Sequence, residues 1–235
     1  LLLDARCHGD SDDEVFTSVP RFAEDIDAGL RWLRRCGGID GRRIALLGHS
    51  VGAAAALLHA SRADAAAGVQ AVVSLSAFAH PQEMMRRWLA EHRLPYPVIG
   101  WYVLRHVQRV IGARFDDIAP LHTVVRVACP VLLVHGHDDR IVPFSDALRL
   151  QCAARAAELL AVAGEHDLRE TLRPHAAAIV DFLLRALADP GGAPRTGQAG
   201  EHGDAPAGRP GGQGVRAIPA PLCVAAHPNG PSHHA

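Results

Sequence analysis

The chain contains no lysine; every strong base is an arginine. Together with the abundance of alanine and glycine this reads as the coding bias of a GC-rich genome, and no mechanism is attached to it. Cysteine is scarce: 5 residues, at Cys7, Cys36, Cys129, Cys152 and Cys223. An odd, scattered set without C-x-x-C pairing indicates neither a disulfide framework nor a zinc site, and is compatible with a reducing, cytoplasmic setting. Net charge is also lacking. At a formal -1, nothing in the total suggests attraction to nucleic acid or to an anionic membrane. No apolar run is long enough to span a bilayer. Val98 to Ile111 comes nearest, but it contains Arg105, His106, Gln108 and Arg109. No signal peptide is recognisable, since Leu1-Leu2-Leu3 runs straight into Asp4. There is no initiator methionine, and the first residues read as the end of a buried strand.

What is present is apolar. Hydrophobic residues make up 49% of 235 positions, ample for one α/β domain or for a smaller domain with a tail. Arg42 to Leu58, RRIALLGHSVGAAAALL, organises the rest. Ile44 to Leu47 has the character of a buried parallel strand, and the alanine- and leucine-rich segment after Gly52 favours a helix. Gly48-His49-Ser50-Val51-Gly52 between them is a G-x-S-x-G turn in the context where it lifts a serine hydroxyl above a sheet. Glycines are expected there because no Cβ fits. Ser50 then lies at a helix N-terminus, which favours developing negative charge. The plainer reading is a glycine-rich turn with an incidental serine. A phosphate-cradling loop is disfavoured because its Gly-Lys-Ser/Thr ending is missing.

Taken in order, Leu1 to Arg6 is expected to be a strand leading into an acidic loop, Cys7 to Asp12. Asp10, Asp12, Asp13 and Glu14 lack calcium-loop spacing and read as solvated. Phe22, Ile26, Leu30 and Leu33 recur at helical spacing between Pro20 and Cys36, with Trp32 as a core anchor. Val69 to Leu75 is a second buried strand, and Ser74 and Ser76 are strand-end residues rather than rival nucleophiles. The strand–helix alternation breaks between Gln82 and Leu121. Met84, Met85, Trp88 and Leu89 suggest one helix face, and Trp101, Leu104, Val107 and Ile111 a second helix over 98–111. Together they read as a two-helix lid, its methionines suiting an adaptable apolar pocket. Strands over 130–135 and 159–163 follow, with helices over 144–156 and 168–187. Pro174 strains the first turn of the last helix or moves its start. From Asp189 onward the composition turns to Gly, Pro, Ala and Gln, so 189–235 is expected to be disordered. The histidines of that tail, His202, His227, His233 and His234, are not read as a metal site.

Three strand-exit loops therefore carry a hydroxyl, carboxylates and an imidazole in the order Ser50, Asp138/Asp139, His166. A serine hydroxyl needs an imidazole to take its proton, and a buried carboxylate to hold that imidazole in the right tautomer. Over residues 1–187 these features resemble the α/β-hydrolase superfamily, nearest its serine-aminopeptidase-like and monoglyceride-lipase-like esterases. Asp4 to Ser11 is similar to the D-x-R-G-H-G-x-S loop of that family, with Cys7 in place of a glycine. Gly48 to Gly52 matches its elbow. His135 to Pro143 matches H-G-x-x-D-x-x-V-P, which selects Asp139 over Asp138, and Gly164-Glu165-His166 resembles the histidine loop.

The resemblance implies an α/β-hydrolase fold: a mostly parallel sheet flanked by helices, core over 1–188 and lid inserted at about 82–121. It implies a serine hydrolase acting on a carboxylic ester, thioester or amide of a small-molecule acyl substrate. Ser50 would be the nucleophile, His166 the base and Asp139 its orienting group, with the Val51 N–H in the oxyanion hole and no cofactor or metal. It places a second oxyanion N–H and the first strands upstream of Asp4, so an N-terminally truncated hydrolase is expected. Two alternatives stay open: a non-catalytic remnant that binds a ligand or partner, and an acyltransferase using the same residues.

Overall fold

The computed structural model describes residues 1–62 and 68–188; the tail expected to be disordered lies outside the described residues. Four strands form one parallel sheet in sequential order: β1 (Ile44–His49), β2 (Val69–Leu75), β3 (Val131–Gly136) and β4 (Ala157–Val162). Parallel pairing forces a crossover between successive strands, and these crossovers cover both faces. On one face Val72, Leu133 and Leu159 pack with Leu30 of α1 (Val19–Arg35), Leu57 of α2 (Val51–Ala60) and Leu150 of α7 (Phe144–Ala153). On the other, Val73, Leu132, Val134 and Leu160 pack with Ile179 and Phe182 of α8 (Ala176–Ala188).

The elements follow their local signals. Ser18 caps α1, its hydroxyl accepting from the Arg21 N–H at 3.4 Å, and Pro20 sits in the first turn. Ala53 to Ala60 is buried without a break; α2 is apolar all round, as a helix enclosed by other elements must be. Pro174 shifts the start of the last helix: Arg173–His175 forms a 3₁₀ turn and α8 begins at Ala176.

Several expectations are corrected. Leu1 to Arg6 is not a strand. Leu1 and Leu2 are exposed, the side chains of Leu1 and Leu3 lie beside Gly29 of α1, and among the described residues no strand pairs with the outer edge of β1. For the same reason β1 is not fully buried: it is the edge strand, and Leu47 is exposed. Trp32 is exposed because the Phe22–Ile26–Leu30 stripe faces the core, and a residue two positions beyond Leu30 points roughly opposite.

The segment between β2 and β3 holds α3 (Pro81–Glu91), a π-helical turn at Tyr96–Gly100, α4 (Trp101–Ile111), and short helices α5 (Phe115–Ile118) and α6 (Pro120–Thr123). Met84, Met85, Leu104, Val107 and Ile111 pack against Phe78, Phe115, Ile118 and Val142. Trp88 and Trp101 do not share that packed side; both are exposed. A buried carboxylate ties α3 to the body. Asp146 accepts from the Ala79 N–H at 3.0 Å and lies 3.4 Å from Arg87 and 3.5 Å from Arg149. Arg149 also makes two hydrogen bonds to Glu83, which lower that carboxyl's pKa.

His59, in the last turn of α2, is buried. Burial pushes its pKa below the ordinary histidine value, with Asp27 and the Ala23 carbonyl opposing only in part. The unfolded chain therefore takes the proton first, near pH ~6.5. Stability falls as the pH drops below that value, until the folded-state pKa is passed and the loss levels off. His59→Leu is expected to flatten part of the fall in the urea-unfolding midpoint between about pH 6.5 and 5. An identical slope in the variant would remove His59 as its source.

Candidate active site

In a parallel sheet every strand ends on the same edge, so the loops leaving β1, β2, β3 and β4 converge there. The first of them is the elbow. Ser50 has φ 51° and ψ -112°, a sparsely populated conformation that costs about 1–3 kcal/mol. Its neighbours hold it there: the Ser50 N–H donates to the Leu75 carbonyl at 2.8 Å, and the Ala54 N–H donates to the Ser50 carbonyl at 3.0 Å. The two motif glycines are not equivalent. A Cβ on Gly48 would lie 2.4 Å from the Gly52 carbonyl oxygen, whereas one on Gly52 would meet nothing within 4 Å. The expectation that no Cβ fits holds for Gly48 and is corrected for Gly52.

The structure brings Ser50, His166 and Asp139 together. Ser50 Oγ lies 3.0 Å from His166 Nε2, and His166 Nδ1 lies 2.8 Å from Asp139 Oδ2. The other carboxylate oxygen of Asp139 accepts from the Ile141 and Val142 N–H groups at 2.9 and 2.8 Å. Asp138 is outside this arrangement; it is exposed, and its N–H donates to the Gly164 carbonyl. Val51 is the first residue of α2, so its N–H is among those left free at a helix N-terminus.

Three supporting residues were missed in the sequence. His135 is buried, with its pKa pushed down by desolvation. Its Nε2 lies 2.9 Å from the Val142 carbonyl and 3.3 Å from Asp139 Oδ2. His49 Nε2 at 2.8 Å and the Ser76 hydroxyl at 3.3 Å donate to the His166 carbonyl, fixing the backbone from which the imidazole projects. His135 opens the H-G-x-x-D pattern and His49 stands inside the elbow, so both were visible as motif letters. Ser76, buried with φ 50°, carries no such signal.

Comparison with known proteins assigns the family. The sequence profile of the prolyl oligopeptidase family matches residues 21–161, 141 of the 235. The chain belongs to the prolyl oligopeptidase family. The matched region includes Ser50 and Asp139 and ends before His166. Bacillus subtilis YqkD is 29% identical over 183 residues, 74% of this chain and 58% of that protein. The chain thus spans less than two thirds of that relative. Among solved structures, the Pyrococcus furiosus esterase Pf2001 is similar over 77% of this chain and 67% of its own, with 19% identity and a TM-score of 0.55. Est1E from Butyrivibrio proteoclasticus, with ferulic acid bound, covers 79% of this chain and 76% of its own, at 18% identity and 0.56. A Paleococcus ferrophilus monoacylglycerol lipase covers 75% and 79%, at 20% and 0.51. The α/β-hydrolase fold inferred from the motifs is the fold of this family member.

One side-chain group beyond the site has metal-ligand character. His80, Asp116 and His122 offer ligand atoms within 4.8 Å of one another. His80 Nδ1, however, accepts the Gln82 N–H at 3.1 Å as the cap of α3, which leaves Nε2 to donate to Asp116 at 3.0 Å. A neutral imidazole so engaged has no lone pair left for an ion.

The exit loops of β3 and β4 touch at Gly136, where an added Cβ would fall 2.2 Å from the Gly164 carbonyl oxygen. That contact is backbone, so neither partner yields easily. Gly136→Ala is expected to destabilise by about 1–3 kcal/mol in urea unfolding, as overpacking does. A variant as stable as the parent would show that the Asp139 and His166 loops part without penalty.

Proposed function

We propose that this chain is the catalytic part of a serine hydrolase that cleaves a carboxylic ester, thioester or amide through an acyl-enzyme. The observation that supports it is the hydrogen-bonded relay from Ser50 Oγ through His166 to Asp139, with spacings of 3.0 and 2.8 Å. In this reading Ser50 attacks the acyl carbon while His166 Nε2 takes its proton. Asp139 holds the Nδ1–H tautomer and stabilises the imidazolium that forms. The Val51 N–H, at the head of α2, supports the oxyanion. His166 then returns the proton to the leaving alcohol, thiol or amine, and water repeats the sequence to release the acid. These steps need no cofactor or metal. The family name and the esterase and lipase names of similar structures fit acyl hydrolysis in this broad sense. The helices of 82–121 serve in this reading as a lid on the core of 1–188. Their apolar inner side meets Phe78 and Val142, close in sequence to Ser76 and Asp139, and so bears on which acyl groups are accepted.

A fluorophosphonate probe is expected to label this chain at Ser50, by peptide mapping, and not to label Ser50→Ala. Asp139→Asn should lower turnover of an activated ester about 10⁴-fold, since the wrong tautomer is then presented. Labelling at another serine in Ser50→Ala, or no labelling of the parent chain, would overturn the assignment.

A further inference from the structure

The net charge of this chain conceals a strong segregation. Residues 84–115 hold six arginines and a single acid, Glu91, a net +5; the other residues together carry -6. The same segment contains two of the 3 tryptophans and both tyrosines. Within it, α4 has no acidic residue. Its exposed positions, Trp101, Tyr102, Arg105, His106, Arg109 and Val110, recur as pairs every four residues and so lie along one side of the helix. Trp101 is 58% exposed and Tyr102 64%, and Trp88 of α3 is 53% exposed. Rings of this size are usually well covered in a folded protein.

The cations of this face are available. Among the described residues neither Arg105 nor Arg109 forms an ion pair with a carboxylate; Arg105 instead lies over the Trp101 ring, 5.8 Å from its centroid. Tyr102 stacks with His106 at 6.2 Å. Arg105 and Arg109 also line, with Gln82, Arg114, Asp116 and Asp117, a cleft of about 790 Å³, in which Arg114 pairs with Asp116 and the other two arginines keep their charge free.

We propose that this face of the helical insertion docks on an anionic phospholipid surface, with Trp101 and Tyr102 at the headgroup level and Arg105 and Arg109 against lipid phosphates. The physical match is threefold. Tryptophan and tyrosine prefer the membrane–water boundary, where an amphipathic ring is half wet. Helices that lie at that boundary combine basic residues with aromatics; the apolar stripe of α4, Leu104, Val107 and Ile111, packs on the core, so the rings and arginines of its outer side make the contact. Guanidinium forks suit phosphate oxygens. No helix among the described residues is long and apolar enough to cross a membrane, so the contact is peripheral. A nucleic acid fits less well. The surface is the convex side of a helix rather than a groove, and the Trp101 and Tyr102 rings already have cationic or imidazole neighbours on them.

The test is flotation of the whole chain with phosphatidylcholine vesicles, with and without phosphatidylserine. Binding is expected only to the anionic vesicles, weakening at high salt. Each arginine near such a surface is worth roughly 5-fold in partition, so Arg105→Gln with Arg109→Gln should weaken binding about 25-fold. A blue shift of tryptophan emission on binding should shrink in Trp101→Phe. These side chains are exposed, so thermal unfolding of each variant should match the parent. Equal flotation with neutral and anionic vesicles would overturn the proposal, as would unchanged binding of the double arginine variant. A single-stranded oligonucleotide that strips the chain from vesicles through the same arginines would overturn it too, in favour of nucleic acid. Ser50→Ala should float like the parent, so failure of the hydrolase reading leaves this result intact.

Discussion

The Asp139 side chain lies in a place from which water is almost excluded. Burying an isolated carboxylate costs several kcal/mol, and the chain offsets this only by surrounding the anion with donors. Two come from the next turn of its own loop, the Ile141 and Val142 N–H groups, and a third is the imidazole of His166. The first two hold the carboxylate whatever the β4 loop does; the His166 contact then draws that loop onto it. Asp146, in the first turn of α7, repeats the device, satisfied by the Ala79 N–H, Arg87 and Arg149. Two buried anions thus join the exits of β2, β3 and β4, and the sheet supplies the common edge on which they meet.

The arginines divide by what they face. Arg87 and Arg149 turn inward to carboxylates and hold α3 against α7. Arg105 and Arg109 turn outward beside exposed rings. A total of -1 averages over both groups, which is why composition alone pointed away from any anionic surface.

Most of the fold was legible because its signals are local. β2 occupies Val69–Leu75 as its unbroken apolar run suggested, and the elbow strand and α2 begin where the glycine motif demands. Ser50, Asp139 and His166 could be selected as candidates because each stands in a loop with a recognisable pattern. What was not legible depended on neighbours. Leu1 to Leu3 looks like a strand by hydropathy, but a strand is defined by its hydrogen-bonding partner, and among the described residues none pairs there. Leu47 and Trp32 were assigned to the core by residue type, whereas position in the sheet and on the helix left them exposed. Ser76 serves the histidine loop through a contact spanning 90 residues, a separation that no local pattern reports.

The unequal glycines of the elbow bear on how relatives of this chain can be recognised. Gly48 is compelled by the backbone of Gly52 against which it packs, while the space beside Gly52 is open. A search pattern that insists on glycine at both places is therefore stricter than the sterics of this turn. Sequences reading Gly-His-Ser-Val-Ala can build the same bend, and a survey that discards them undercounts the chains able to hold a serine in this posture.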